Sequence, residues 1–372
     1  MDPRRVSAAA NALRCTLLFV LAVVCLEPQL SAGAMPSSQP DEQSRAAAAE
    51  GHIDKELQLA GDYLIGRGLP RNPERAAFWY RKAADQGDSD AQAELGYFYL
   101  VGTGVRPDPA EAIRWFSRAM AAGSLSAKRN LAVMYLKGLG VRRDIPLGLQ
   151  MLTQAAQKQD PGAQNDLGLV YFLGYGIPAD HRAAERWFQL AAKQRLPEAE
   201  YALGTLYSVV DDHVHDFPRA AEYLRIAAQA GYVPAIHSLG QLLVNHSDLP
   251  QKPGEATALL EQAAGAGSWR SSAILGAIAR MGTFAPPSPP DACRWFLIAA
   301  RQGGSEAQPV LKNDLANCTT ILDAPSMNQL SGQADAWMAQ HAGPEIFLSG
   351  NQYQTGNFPL PAVPDLDLFS SR

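Results

Sequence analysis

Apolar positions recur along this chain with a period of 36 residues. In each period a large apolar pair is followed four residues later by a mostly small pair, and another small residue lies three residues before it. Offsets of three and four place side chains on one face of a helix. The pattern therefore predicts seven amphipathic helices, centred on Trp79-Tyr80, Trp115-Phe116, Met151-Leu152, Trp187-Phe188, Tyr223-Leu224, Leu259-Leu260 and Trp295-Phe296.

A second apolar pattern precedes each of these helices in the same register. A leucine-glycine pair with a tyrosine four residues after the leucine is typical of it, as at Leu95, Gly96 and Tyr99. This spacing predicts a second amphipathic helix in each period. A helix pair cannot bury its apolar face alone, so an array of such pairs is expected to stack into a solenoid.

The turns between the helices carry periodic glycines and acidic residues. Glycine pairs separated by one residue recur from Gly66 to Gly176, and the spacing predicts that they end the first helix with a positive φ. A phosphate-binding loop would need a strand before the glycines, whereas here a helix precedes them. We expect the next polar column to cap the second helix of each pair rather than to bind metal: Asn72, Asp108, Asp144, Asp180 and Asp216.

The order A-x-x-x-L-G-x-x-Y-x-x-G-x-G-V, then D, then A-x-x-W-[YF]-x-x-A-A-x-x-G resembles the Sel-one-like repeat (SLR) family of tetratricopeptide-like proteins. The resemblance implies an all-α fold: a right-handed α-solenoid of antiparallel helix pairs, with seven tandem repeats over residues 53–306. It also implies an adaptor or assembly scaffold without catalytic residues. The turn motif fades at Ser208–His215, Asn245–Gln251 and Gly282–Pro290, where we expect altered turns.

Composition and the N-terminus indicate an exported, folded protein. The chain is 47% hydrophobic and 19% charged, which can support a core. Basic residues precede the apolar run Leu17–Leu26, and Ala32-Gly33-Ala34 offers a cleavage site, so we predict a signal peptide over 1–34. The alternative is an uncleaved membrane anchor. A lipoprotein anchor at Cys25 is disfavoured because Val24 precedes it.

The predicted mature chain is mildly acidic. It carries 29 basic and 35 acidic residues, a formal net charge of −6. This charge argues against nucleic acid and anionic membranes as partners. The mature chain also keeps two cysteines, Cys293 and Cys318. Folding the chain back near Gly303 brings them within reach, so we predict a disulfide that holds the last repeat to its cap.

The ends of the chain differ from the repeats. Residues 35–52 are predicted to be a linker, and residues 307–343 to form C-terminal capping helices. One of these, Met327–His341, has Leu330, Ala334, Trp337 and Met338 on one side. Residues 344–372 show no helical period and are predicted to be a mostly disordered tail.

The candidate binding residues lie on the first helix of each pair. In tetratricopeptide-like arrays this helix lines the concave groove, and here its residues vary between repeats while their neighbours keep their type. Arginine and asparagine side chains there suit an extended peptide. We predict a protein or peptide partner at Glu94, Tyr97, Arg129, Asn130, Lys137, Asn165, Asp166, Tyr201, His237 and Gln241.

No motif supports catalysis, a metal or a cofactor. The group Asp211, Asp212, His213, His215 and Asp216 has metal-ligating side chains but no third ligand at a defined spacing. We therefore predict no metal and no cofactor. Three functional classes follow: an exported, non-enzymatic scaffold, which is favoured; an assembly factor of an envelope polysaccharide or secretion complex; and a hydrolase-like enzyme, for which the motifs give no support.

Overall fold

The computed structural model describes residues 51–209 and 216–341. This part of the chain contains fifteen helices and no strand. In chain order they are α1 (Ile53–Ile65), α2 (Pro73–Asp85), α3 (Ser89–Val101), α4 (Pro109–Ala121), α5 (Leu125–Lys137), α6 (Ile145–Gln157), α7 (Pro161–Leu173), α8 (His181–Ala192), α9 (Pro197–Val209), α10 (Phe217–Gln229), α11 (Val233–Asn245), α12 (Glu255–Gly265), α13 (Trp269–Met281), α14 (Pro289–Ile321) and α15 (Ala324–Gln340).

The helices follow the predicted two-per-period order and confirm an all-α solenoid of about seven repeats with a C-terminal capping helix. They divide into two compact units between Gln194 and Arg195, with α1–α8 in one and α9–α15 in the other. Within each unit every helix packs on the next one along the chain. Among the described residues, no helix combines the length and the apolar content needed to cross a membrane.

The predicted signal peptide (1–34), most of the linker (35–52) and the predicted tail (344–372) lie outside the described residues. The fifth turn is also outside them at 210–215. In the sixth turn α11 ends without a left-handed glycine, since His246 follows it with a φ of −124°. In the seventh turn Gly282 keeps the left-handed conformation, with a φ of 71°.

The packing of the core explains why a glycine follows the leucine in the first helix of most repeats. The second member of each large apolar pair is buried in repeats two to seven, as Phe116 and Phe188 show. A Cβ built on Gly96 would lie 2.7 Å from the Phe116 ring, and one on Gly168 would lie 2.6 Å from the Phe188 ring. Glycine is therefore required at these positions. The two helices of a repeat are in contact there, and a Cβ on the first helix would overlap with the buried ring of the second.

The turn chemistry matches the prediction. Asn72, Asp108, Asp144, Asp180 and Asp216 each accept a hydrogen bond from a backbone N–H in the first turn of the following helix. Sequence reasoning missed a second set of caps, on the first helices: Asp88, Ser124, Asp160 and Ser268. Because these caps satisfy otherwise unpaired N–H groups, they define where each helix begins.

The C-terminal part closes the array. Helix α14 is broken at Gly304, whose φ of 50° and ψ of −125° turn the chain back on itself. A disulfide joins Cys293 to Cys318 across this turn, with the two Cα atoms 5.7 Å apart. On α15, Leu330 and Ala334 are buried against the last repeat, as the predicted cap requires.

Candidate functional site

The predicted binding residues lie on first helices in both units. Seven of them are on α3, α5 and α7 in the unit that ends at Gln194, and Tyr201, His237 and Gln241 are on α9 and α11 in the other. Neighbouring first helices contact each other directly, α3 with α5 and α5 with α7. Their residues can therefore act together on one surface within a unit.

Burial divides the ten residues into two groups. Tyr97 is 47% exposed, and the half-buried members are Glu94, Arg129, Asn130, Lys137 and His237. The nearly buried members are Asn165, Asp166, Tyr201 and Gln241. A partner can touch the first group directly, whereas the second group lies within the packing between helices. The binding role of all ten residues stays a prediction.

Arg129 is held by the following repeat. Its Nε donates a hydrogen bond to Asp166 Oδ2 at 2.7 Å, and Asp166 has a fully buried side chain. Gly162 makes room for the guanidinium, since an added Cβ there would lie 2.1 Å from Arg129 Nη1. Most of the positive charge of Arg129 is therefore balanced inside the array, because a buried carboxylate needs a paired cation.

Glu94 and Tyr97 form the ionisable part of the exposed surface. Burial, together with repulsion from Asp90, raises the pKa of Glu94 to about 7. Burial also raises the pKa of Tyr97, with a further rise from Glu94 and an opposing effect of the Arg129 guanidinium. These effects show that side chains from α3 and α5 lie in one electrostatic environment.

Lys137 lies at the end of α5, just before its capping glycine. Burial lowers the pKa of Lys137, and the attraction of Asp166 opposes that decrease. The exposed surface thus combines an aromatic ring, a carboxyl group that titrates near neutrality and a partly buried cation. Such a mixture suits a polypeptide, whose side chains and amide groups differ along its length.

In the second unit, the predicted residues His237 and Tyr201 lie beside hydroxyl groups. His237 Nδ1 lies 2.7 Å from Ser271 Oγ, which is the distance of a hydrogen bond. Such a pair resembles the base and nucleophile of a hydrolase, but Ser271 is fully buried and cannot meet a substrate. Burial raises the pKa of Tyr201, and hydrogen bonds with Ser238 and Thr205 oppose this increase. These groups have structural partners within the unit.

Sequence reasoning missed a hydrogen bond that joins two of the first helices, α3 and α7, to the helix before each of them. Gln92 Nε2 donates to the carbonyl oxygen of Ala84 at 3.0 Å, and Gln164 Nε2 donates to that of Ala156 at 3.1 Å. Both glutamine side chains are buried, and they lie two periods apart. The sequence signal for this contact is the recurrence of glutamine at the same position of the period, within a helix whose neighbouring positions are mostly apolar.

The part of the chain that the structure describes contains no group of three or more potential metal ligands. Of the histidine- and aspartate-rich segment, Asp216 is described and caps α10. Asp211, Asp212, His213 and His215 lie outside the described residues.

Comparison with known proteins supports the fold and the repeat. The Sel1 repeat model matches residues 56–88, 89–124, 125–160, 161–196, 197–232, 233–268 and 273–304. A protective antigen of uropathogenic Escherichia coli with an SLR fold has a TM-score of 0.63 at 24% identity, over 81% of this chain and 64% of that chain. This chain thus spans less than two thirds of the antigen.

A Sel1 repeat protein from Oxalobacter formigenes has a TM-score of 0.56 at 27% identity. That match covers 68% of this chain and 99% of the other. No curated protein sequence matches significantly. Sel1 repeat proteins generally mediate interactions between proteins. Because the matched repeats cover well over half of its length, this chain belongs to the Sel1 repeat family.

Proposed function

We propose that this protein is an exported, non-enzymatic scaffold that binds a protein or peptide partner on the exposed face of its first helices. The observation that carries the proposal is the surface formed by Glu94, Tyr97, Arg129 and Lys137. These residues come from two successive repeats and differ in chemistry, and the charges of Glu94 and Arg129 act on Tyr97, which is 47% exposed. Large aromatic side chains that combine apolar area with a polar tip are common at protein interfaces.

A scaffold fits these residues better than an enzyme. Ser271, whose Oγ lies 2.7 Å from His237 Nδ1, is buried. The carboxyl group of Glu94 has a pKa of about 7, which would suit a general acid or base, but the described groups that act on it or that it acts on are Asp90 and Tyr97, which supply no serine or cysteine nucleophile. The described geometry therefore favours binding over reaction.

The binding face can be tested by site-specific crosslinking in the native host. A photo-crosslinking amino acid at Tyr97 should trap a partner protein, because this side chain is exposed at the centre of the face. The matched control is the same probe at Phe78, which is 53% exposed on the second helix of the first repeat. Mass spectrometry then identifies the adduct. The affinity of the purified partner is measured for the wild-type protein and for the Tyr97→Ala variant.

We expect one partner from Tyr97, weak or no trapping from Phe78, and reduced affinity of Tyr97→Ala. Trapping of the same partner from Phe78 but not from Tyr97 would show that the first-helix face is not the binding surface. Several distinct partners at Tyr97 would favour an assembly factor over an adaptor for one client.

Export is tested separately from binding. The residues before Met35 have the layout of a cleaved signal peptide, so N-terminal sequencing of the protein from its host should begin at Met35. A protein that retains residues 1–34 and sediments with membranes would support the anchored alternative.

A further inference from the structure

Helix α3 presents four residues along one side. Asp90, Glu94, Tyr97 and Val101 are separated by four, three and four positions, a spacing that aligns side chains on a helix. Tyr97 and Val101 are 47% and 48% exposed, Asp90 is exposed and Glu94 is half-buried. We call these four residues the α3 strip.

Among the first helices that the structure describes, α3 alone exposes a large apolar side chain at the position of Tyr97. One and two periods later, the same position is occupied by Val133 and Leu169, which are 2% and 1% exposed. Packing between the repeats therefore covers this position on α5 and α7 but leaves it accessible on α3. An exposed tyrosine beside an exposed valine costs free energy in water, and a partner that covers them would recover it.

Space is also left open one period earlier, at Gly61 in the interior of α1. A Cβ added to Gly61 would meet no atom within 4 Å, so packing does not require a glycine there. Glycine in a helix interior costs about 0.5–1 kcal/mol relative to alanine. Ile53 and Leu57 of α1 pack on the cluster that contains Leu95 of α3. Open space thus occurs in the register of Tyr97 on the first helix of the preceding repeat.

The strip is negatively charged. The pKa of Asp90 is raised by burial and then by Asp88, and that of Glu94 by burial and then by Asp90. The charges that act on these two carboxyl groups are therefore other carboxylates. The guanidinium nearby, that of Arg129, is bound to the buried Asp166. A cation brought to Asp90 and Glu94 would relieve this repulsion.

We infer that the α3 strip binds a segment of a partner protein in which lysine or arginine stands next to an apolar residue. The cationic group contacts Asp90 and Glu94, its alkyl stem lies on the Tyr97 ring, and the apolar neighbour covers Val101. Cations bind favourably to aromatic faces, and long basic side chains bury their stems on apolar surface. This inference rests on the proposed function, because it names the chemistry of the partner at the same face.

Selection of random short peptides displayed on phage, with the full mature chain as bait, tests the inference. The bait variant Asp90→Asn with Glu94→Gln removes both ionisable carboxyl groups while it keeps side-chain shape. Its matched control, Glu74→Gln with Glu111→Gln, removes two carboxyl groups from second helices, one at an exposed and one at a half-buried position. Fluorescence anisotropy with a selected, labelled peptide then gives the dissociation constant for each protein.

We expect selected peptides to be enriched in lysine or arginine beside apolar residues. Their affinity should fall at least about tenfold for the Asp90–Glu94 variant, because a charged contact loses its partner. The Glu74–Glu111 variant should bind as wild type does. Since the first variant removes repulsion, it should fold, which circular dichroism and urea unfolding would verify.

Two other outcomes would count against the inference. Peptides that lack basic residues, or that bind the Asp90–Glu94 variant as tightly as wild type, would overturn it while leaving a peptide-binding scaffold intact. Failure to select any peptide that binds the wild-type chain would also overturn the inference, whereas the crosslinking at Tyr97 decides the proposed function independently.

Discussion

Glu200 is a buried acid whose ionisation is expected to destabilise the second unit. It lies on α9 with 7% of its surface exposed. Burial is the main cause that raises the pKa of Glu200. The positive charge of Arg195 lowers this pKa in part, and the negative charge of Glu198 raises it further, so that it increases from 4.5 to about 7. The variant Glu200→Gln keeps the shape of the side chain and cannot ionise.

The sign of the effect follows from proton binding. Between pH 4.5 and about 7 the folded state holds more protons at Glu200 than the unfolded state, so the free energy of unfolding falls as the pH rises. The difference between the two pKa values corresponds to about 3 kcal/mol when Glu200 is fully ionised. Glu200→Gln should therefore raise the free energy of unfolding by up to about 3 kcal/mol at pH 8, and by little at pH 5.

Urea unfolding followed by circular dichroism, at both pH values, measures the effect. The matched control is Glu222→Gln, because Glu222 is exposed on the adjacent helix α10. The earlier repeats already carry Gln92 and Gln164 at the position of Glu200, so the repeat accommodates glutamine there. Equal stabilisation at both pH values, or a less stable Glu200→Gln protein at pH 8, would refute the reasoning.

Three further substitutions test the packing, the caps and the terminal disulfide. Gly96→Ala should destabilise by about 1–3 kcal/mol, because its Cβ would lie 2.7 Å from a buried ring, whereas Gly332→Ala, with no atom within 4 Å, should stabilise slightly in the same urea assay. Asp108→Ala should cost about 1 kcal/mol and speed amide exchange at the start of α4, since two N–H groups lose their acceptor; unchanged exchange would contradict the capping role. Replacing Cys293 and Cys318 by serine should cost about 3 kcal/mol for a loop of 25 residues, seen as a lower thermal midpoint that reductant no longer shifts.

Much of the fold was predictable because the repeat specifies local structure. Turn glycines, capping aspartates and the aromatic pairs act within a few residues of their own position, and each recurs often enough to identify its role. Gln159 and Arg195 occupy the position at which a glycine column, Gly87, Gly123, Gly231 and Gly267, follows the second helices of other repeats. The structure shows that both adopt the positive φ of that column, 64° and 59°, so the turn is imposed by the packing around it.

The candidate site was predictable only in outline. The sequence identified the first helices as the variable surface, but it did not distinguish accessible residues from buried ones. Asn165 and Asp166 are buried although they are polar, and Asp166 binds Arg129 from the previous repeat. The exposure of a position depends on side chains one period away, and a single column of sequence does not contain that information.

By itself, the sequence determined the helix pairs, the caps of the second helices, the turns of the first four repeats and the number of repeats, because these follow from contacts over a few residues. The tertiary structure alone decided which part of the variable face stays open. Val133 and Leu169 are covered, whereas Tyr97 is exposed and lies in register with the unfilled position of Gly61. The physical reason is that burial on a first helix depends on how the neighbouring repeats pack against it, and each repeat packs with different side chains.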